Sequence, residues 1–519
     1  MTPHDAYTEL IRRSRELGVL NSCAAVLGWD QQTYMPAKAA GLRGEQMGFL
    51  AGLSHEKFTD PKVGELLAQI EASELVREPE SDAAANVREL RRSYDRATKL
   101  PPSLVQELAR VTTTAHQAWE QAKKGNDFAT FRPWLEKIVA LKRQEADAVL
   151  NANTRDSSPR SASRVPHIYD GLLEEYEPGT TVADLKVLFT GLTEALVPLI
   201  RKVTECSKRP DQSILKREYA VERQKVFAEA ASLAFGFDAA AGRLDITSHP
   251  FCSGIGPGDC RITTRYNPRF FPEAFFGVLH ETGHALYEQN LPAEHFGTPL
   301  AVACSFGIHE SQSRLWENQV GRSRPFWDHF FPRLKQTFPV ALTGVNAEAF
   351  HLAVNDVRPS LIRVESDEAT YNLHIALRFE LELALLSGDL TVAELPGAWN
   401  ERFEALFNLK VPNDTQGCLQ DIHWSFGGFG YFPTYTLGNL YSAQFMAAAK
   451  RELGVEALDE DFRRGEFGRL KDWLGKNIHC HGQRYRAGEL CRRATGIPLS
   501  PEPFLSYLTE KYAHLYAMC

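Results

Sequence analysis

No stretch of this chain approaches the roughly 18 uninterrupted apolar residues that a membrane span requires. Its amino terminus, MTPHDAYTELIRRSRELG, carries charges every few positions where a secretory signal would carry an apolar core. Neither a membrane partner nor export is expected. Long runs of one charge are also missing. Lysine and arginine number 58 against 66 aspartates and glutamates, a net of -8, with no basic stripe to serve as a nucleic-acid footprint. The nine cysteines, an odd number, are scattered from Cys23 to Cys519 without a C-x-x-C pair. That pattern argues against a disulfide framework and against a cysteine zinc site, and reads as reduced thiols in the cytoplasm. Peptides or small molecules remain as the expected partners.

What the chain does have is helix. With 519 residues, 43% of them hydrophobic, it can bury a large core. In SLVQELARVTTTAHQAWEQAKKG, Ser103 and Gln106 form a capping-box pattern after Pro101 and Pro102, and Gly125 supplies a stop. Leu104, Leu108, Val111, Ala115 and Trp119 share one face. The same grammar recurs from Pro133, and again after Thr181 and Asp184, a second capping pair. The stretch from Asn151 to Pro166, rich in Ser, Arg and Pro without periodicity, reads as a surface loop or a seam between helical lobes. Between Arg243 and Pro268 two short β-prone runs flank a glycine-rich turn, which predicts a small antiparallel ribbon. An exposed strand edge there could hold an extended peptide by main-chain hydrogen bonds.

The ribbon is followed by PEAFFGVLHETGHALYEQN, an apolar helix entered at Pro272. Within it, His280 and His284 are one helical turn apart on one face, so both imidazoles can reach a single ion. Glu281 points beside that ion, where a base must sit to take a proton from water activated by a metal. A pair of helical histidines is also a common structural feature. Against that, Phe275, Phe276, Val278, Leu279 and Leu286 make the surroundings apolar, and charges there are costly unless paired or metal-bound. A catalytic zinc usually takes a third protein ligand. Glu310, 26 residues beyond His284, is far enough along to lie on a second helix folded back across the first; the alternative is a surface glutamate at a helix start. A His, His, Glu set suits zinc, with cobalt or manganese as substitutes.

Seven motifs occur in order: WDQQTYMP from Trp29, HPF from His249, DCRITTRY from Asp259, HETGH from His280, HESQS from His309, IRVESDEATYNLHI from Ile362 and GCLQDIHW from Gly417. In these the chain resembles the carboxypeptidase Taq family of metallocarboxypeptidases over nearly its whole length. It departs from the family pattern with Gly28 and Gln32 where His and Glu are usual, and with Ser366 in place of Ala. None of these removes a ligand or the base.

The resemblance implies a mainly α fold, a helical zincin like the neurolysin-type oligopeptidases. It would be a single domain over 1–519, two helical lobes around a long groove, with the zinc-site core at about 243–440. It also implies zinc on His280, His284 and Glu310, a homodimer, and stepwise release of single C-terminal residues with broad specificity, disfavouring proline. The glycines Gly427, Gly428 and Gly430 lie between His423 and the tyrosines Tyr431 and Tyr435. By resemblance Tyr435 is the extra oxyanion donor with His423 as a second, and Tyr431 borders the substrate, although buried aromatics and a hydrogen-bonded histidine would look the same. Arg363 is the expected clamp for the substrate carboxylate. It could instead pair with Glu365 or Asp367, and Arg261 and Arg265 are alternative clamps. An endo-acting oligopeptidase with the same zinc and base, or a silent peptide-binding relative, are the rival readings.

Overall fold

Helix dominates because the apolar residues recur at helical spacing and the ends carry the chemistry that stops a helix. In the computed structural model, which describes residues 1–152 and 166–518, the chain divides into two compact units. One comprises Met1–Ala97, Pro210–Asp356 and Tyr441–Leu499, and the other Thr98–Arg209, Val357–Leu440 and Ser500–Cys519. Most of the Asn151 to Pro166 stretch lies outside the described residues. Among the described residues, no helix is long and apolar enough to cross a membrane.

In the second unit, helix Val182–Glu205 begins as expected: the Thr181 side chain accepts from the Asp184 amide, and the Asp184 carboxylate accepts in return from the Thr181 amide. Helix Pro102–Gly125 corrects the predicted cap. It starts one residue before Ser103, with Pro102 in its first turn, where a missing N–H is harmless, so the Ser103 and Gln106 pair caps nothing. Asn126, in the left-handed conformation, closes it in place of Gly125. Its buried face is Leu104, Val111, Ala115, Ala118, Trp119 and Ala122, with Leu108 half-buried. The next helix, Phe128–Ala152, starts before Pro133 and contains it.

In the first unit the predicted antiparallel ribbon is present as β2 (Cys252–Gly256) and β3 (Asp259–Thr264). Gly258, at a φ of 81°, makes the turn between them. The sheet has a third strand that the sequence reading lacked: β1 (Gly242–Ile246) runs parallel to β3, in register from Gly242 against Cys260 to Ile246 against Thr264. The order is β1-β3-β2, so β2 is an edge. Cys260 and Ile262 of β3 pack with Phe237 on Ala285 of helix Phe271–Gln289, which ties the sheet to the helix carrying HETGH. The other flank of that helix buries Phe271 and Phe275, with ring centroids 5.0 Å apart, among Phe227, Phe326, Phe330 and Trp327. Each such side chain contributes about 1.5–3 kcal/mol, so the helix is anchored by apolar burial on two sides.

Candidate metal centre

Helix Phe271–Gln289 is buried almost throughout, including Phe275, Phe276, Val278, Leu279 and Leu286. His280, His284 and Glu288, spaced four apart, form its less buried stripe. A second helix, Phe306–Arg314, is capped by the Ser305 side chain accepting from the Ile308 amide, and brings Glu310 onto that stripe. The Glu310 Oε2 atom lies 3.5 Å from His284 Nε2 and 3.8 Å from His280 Nε2. The three ligand atoms are all within 4.8 Å of one another.

This arrangement fits a metal ion. Ligands about 2.0–2.1 Å from one ion at tetrahedral angles lie roughly 3.3–3.5 Å from each other, close to the two Glu310–histidine distances. The donor set is two imidazoles and one carboxylate, and its charges favour a cation. Burial lowers the His280 pKa, but Glu310 and Glu317 outweigh it and leave the value raised. Burial pushes the Glu310 carboxyl up, and Arg314 and His280 more than reverse this, holding it well below the usual carboxylate range. His284 is driven down to about 3, chiefly by burial, so it stays a neutral imidazole with a lone pair to give.

His280 and Glu310 are held from behind by hydrogen bonds that the sequence pattern does not reveal. His280 Nδ1 is 3.0 Å from Glu317 Oε2. Such a carboxylate fixes the ring and its tautomer so that Nε2 faces the ion. Glu317 lies in a π-helical turn, Leu315–Val320, that continues the Glu310 helix, and receives hydrogen bonds from Arg314 and Arg322. Arg314 Nε also donates to Glu310 Oε1 at 2.7 Å, leaving Oε2 turned to the histidines. The one sequence signal for Glu317 is its seven-residue spacing from Glu310, which places the two on one helical face.

Glu281, one position round the helix, is 6% exposed. Burial pushes its carboxyl up to about 7, against the opposing field of His280. That is a value at which a group both takes and returns a proton near neutrality.

The remaining predicted residues belong to the second unit, which brings them together. His423 Nε2 is 3.2 Å from the Tyr435 hydroxyl, and the Tyr431 ring lies 5.4 Å from Tyr435 and 5.5 Å from His423. Arg363 is buried with its Cζ 5.1 Å from the Tyr435 ring centroid. Its carboxylate partner is neither Glu365 nor Asp367 but Asp421: Nε and Nη2 donate to Oδ1 at 3.0 and 2.8 Å, while Nη1 donates to the Tyr371 hydroxyl at 2.7 Å. Asp367 is occupied instead with the Ala369 and Thr370 amides and the Thr370 hydroxyl. The second oxygen of Asp421 takes Arg378 Nε at 2.6 Å. Burial opposes the charge on Asp421, yet Arg363 and Arg378 hold its pKa far below the ordinary value. Burial likewise drives His423 down to about 3, with Arg363 adding to it. Of the alternative clamps, Arg261 pairs with Asp259 and covers the Trp29 ring at 4.3 Å, and Arg265 pairs with Glu273.

The family model for carboxypeptidase Taq (M32) metallopeptidases matches residues 9–512. The chain is 49% identical over 516 residues to thermostable carboxypeptidase 1 of Thermus thermophilus, covering 99% of this chain and 100% of that one. It is 35% identical to carboxypeptidase 1 of Bacillus subtilis across the full length of both. Among solved structures, the M32 carboxypeptidase from Deinococcus radiodurans R1 superposes with a TM-score of 0.93 at 41% identity, over 99% of this chain and 100% of that one. A Pyrococcus furiosus carboxypeptidase superposes at 0.91 with 35% identity, over 98% and 99%. Sequence, fold and a His, His, Glu group placed so that it could hold a metal ion thus agree, and the chain belongs to the carboxypeptidase Taq (M32) metallopeptidase family and is a metallocarboxypeptidase.

Proposed function

We propose that the ion is zinc, held by His280, His284 and Glu310, and that Glu281 is the general base in stepwise release of single C-terminal residues from peptides. The observation that carries this reading is the convergence of two imidazole nitrogens and one carboxylate oxygen within 4.8 Å, beside a buried carboxyl. Zinc bound there supplies Lewis acidity toward the scissile carbonyl and lowers the pKa of water it coordinates. Cobalt or manganese would serve in its place. Glu281 takes a proton from the attacking water on one carboxylate oxygen and passes it to the leaving amine nitrogen.

The roles of the second-unit residues follow the family resemblance and the chemistry of their own cluster. A neutral His423 protonated on Nε2 donates to the Tyr435 oxygen, which makes the Tyr435 O–H a donor toward the oxyanion of the tetrahedral intermediate. Arg363 spends three of its five N–H groups on Asp421 and Tyr371; the other two are the pair for a terminal carboxylate. Tyr431 lines the same cluster as a contact for the substrate. Strand β2, an edge, offers main-chain groups to an extended peptide. Broad specificity that disfavours proline, a homodimer and a cytoplasmic location complete the reading.

The test is a short peptide with a free C-terminus beside its amidated twin, given to metal-quantified enzyme, to chelated enzyme and to Glu281→Gln. The expected result is stepwise loss of single residues from the free peptide alone, abolished by chelation and by the substitution. Internal cleavage of both peptides would make the protein an endo-acting oligopeptidase. No cleavage with one zinc bound would make it a silent peptide binder.

A further inference from the structure

The two histidine ligands are supported in unlike ways. His280 has Glu317 on its outer nitrogen. The outer nitrogen of His284, Nδ1, is buried and has no hydrogen-bond partner among the described residues. A metal-ligating histidine almost always makes a hydrogen bond at that position, and its loss costs orientation. What His284 has instead is a ring: His309, the residue before Glu310, lies nearly parallel to it with centroids 4.4 Å apart and planes 22° apart.

His309 is itself fixed. Its Nε2 is 2.9 Å from Glu288 Oε1, and Glu288 stands one turn beyond His284 on the same helix. The other Glu288 oxygen is pressed against β2, where a Cβ built on Gly254 would come within 2.3 Å of it. Behind His309 the stack continues through Tyr287, 5.6 Å away at 30°, to His479, 4.9 Å further at 29°. Both ends of that support are tied down: the Cys304 amide donates to the Tyr287 hydroxyl at 3.0 Å, and His479 Nε2 is 2.8 Å from Gln312 Oε1. Four rings from three chain segments thus form one column ending on a metal ligand.

We propose that His309 and Glu288 are a positioning pair for His284: stacking on a ring clamped by Glu288 sets the orientation that a hydrogen bond at Nδ1 sets elsewhere. His309 acts through His284 and touches no reacting atom. Because Glu288 shares a helix with His284 while His309 precedes Glu310, the same contact also sets the distance between the second and third ligands. This rests on the assignment of His280, His284 and Glu310 as the metal site.

The test is zinc affinity of the metal-free protein by competition with a chromophoric chelator, together with the visible absorption of the cobalt(II) form. His309→Ala should weaken zinc binding by about 10–100-fold, the range for loss of an outer partner of a ligand, and should alter the cobalt spectrum. His309→Phe, which keeps a flat ring on His284 but loses the hydrogen bond to Glu288, should recover part of the affinity lost in His309→Ala and match Glu288→Ala, as expected if stacking and its clamp both contribute. Glu288→Ala should share the loss. Native affinity in His309→Ala or in Glu288→Ala, or no recovery in His309→Phe, would overturn the proposal. Circular dichroism of the metal-free variants separates positioning from unfolding. Glu310→Gln is the control for the site itself: if it binds zinc as the parent does, the ligand assignment fails, whereas its loss of zinc beside an unaffected His309→Ala sinks the positioning pair alone.

Discussion

Gly283 and Gln312 are in backbone contact: a Cβ at Gly283 would lie 2.5 Å from the Gln312 carbonyl oxygen and 2.6 Å from the Ser313 Cα. The third residue between the two histidines is therefore the point at which helix Phe306–Arg314 rests directly on helix Phe271–Gln289. That approach is what lets Glu310 reach both imidazoles. Alanine at 283 would raise helix propensity by about 1 kcal/mol, but its methyl meets backbone, which cannot swing aside. Overpacking of this kind costs about 1–3 kcal/mol. The expectation for Gly283→Ala is lower stability and lower zinc affinity together, read by urea unfolding and by chelator competition. Unchanged affinity would show that the helix contact does not set the ligand distance.

The Glu317 carboxylate makes a second expectation. Glu317→Gln keeps the shape but can present its amide N–H₂ to His280 Nδ1, favouring the wrong tautomer, while Glu317→Ala removes the partner. Both should weaken zinc binding, Ala by about 10–100-fold. Arg314 and Arg322 would be left with fewer acceptors, so the Ala variant should also unfold at lower urea. Equilibrium dialysis against buffered zinc checks the first point, and affinity equal to the parent would remove Glu317 from its orienting role.

The helical period alone made His280, Glu281 and His284 readable in the sequence, because those three depend only on positions within one helix. Glu310 needed a resemblance as well, since the crossing of two helices is not written in their separate patterns. Glu317 and Asp421 were out of reach for the same reason. Their contacts span 37 and 58 residues, and a reading confined to near neighbours offered Glu365 and Asp367 for Arg363 instead. Strand β1 was missed because its partner in the sheet is parallel, reached across the intervening β2, and no turn signal marks it. The Ser103 cap failed on a local point: Pro102 already serves as the first helical residue.

Arg363 carries a prediction with two separable parts. In Arg363→Ala, Asp421 keeps Arg378 but loses its other guanidinium, and breaking a buried pair costs about 3–5 kcal/mol of stability. If Arg363 also receives the substrate carboxylate, kcat/KM for the free peptide should fall by the equivalent of about 2–5 kcal/mol, with the amidated twin still uncleaved. Arg363→Lys should keep part of the stability and little of the activity, because an ammonium lacks the fork. A folded Ala variant that cleaves the free peptide normally would leave Arg363 a purely structural residue.

Glu382 supplies a pH dependence away from the metal. It is fully buried, and its oxygens accept from the Tyr169 hydroxyl at 2.7 Å, the Trp424 indole at 2.9 Å and the Gly430 amide at 3.1 Å. Burial nevertheless outweighs these donors and the nearby Lys142, pushing the carboxyl from 4.5 up to about 7. The folded state therefore binds this proton more tightly than the unfolded chain does. Its contribution to stability is full below pH 4.5 and is lost as the pH rises through 7, by about 3 kcal/mol at 1.36 kcal/mol per pKa unit. Glu382→Gln removes the titration and places an N–H₂ against groups that are themselves donors, a cost of about 1–3 kcal/mol that does not vary with pH. The variant should thus be clearly less stable than the parent near pH 4.5, and should gain on it steadily toward pH 7.5. Urea unfolding of both proteins across that range measures the difference. A gap that stays constant with pH would mean that Glu382 is ionised throughout, held so by its three donors.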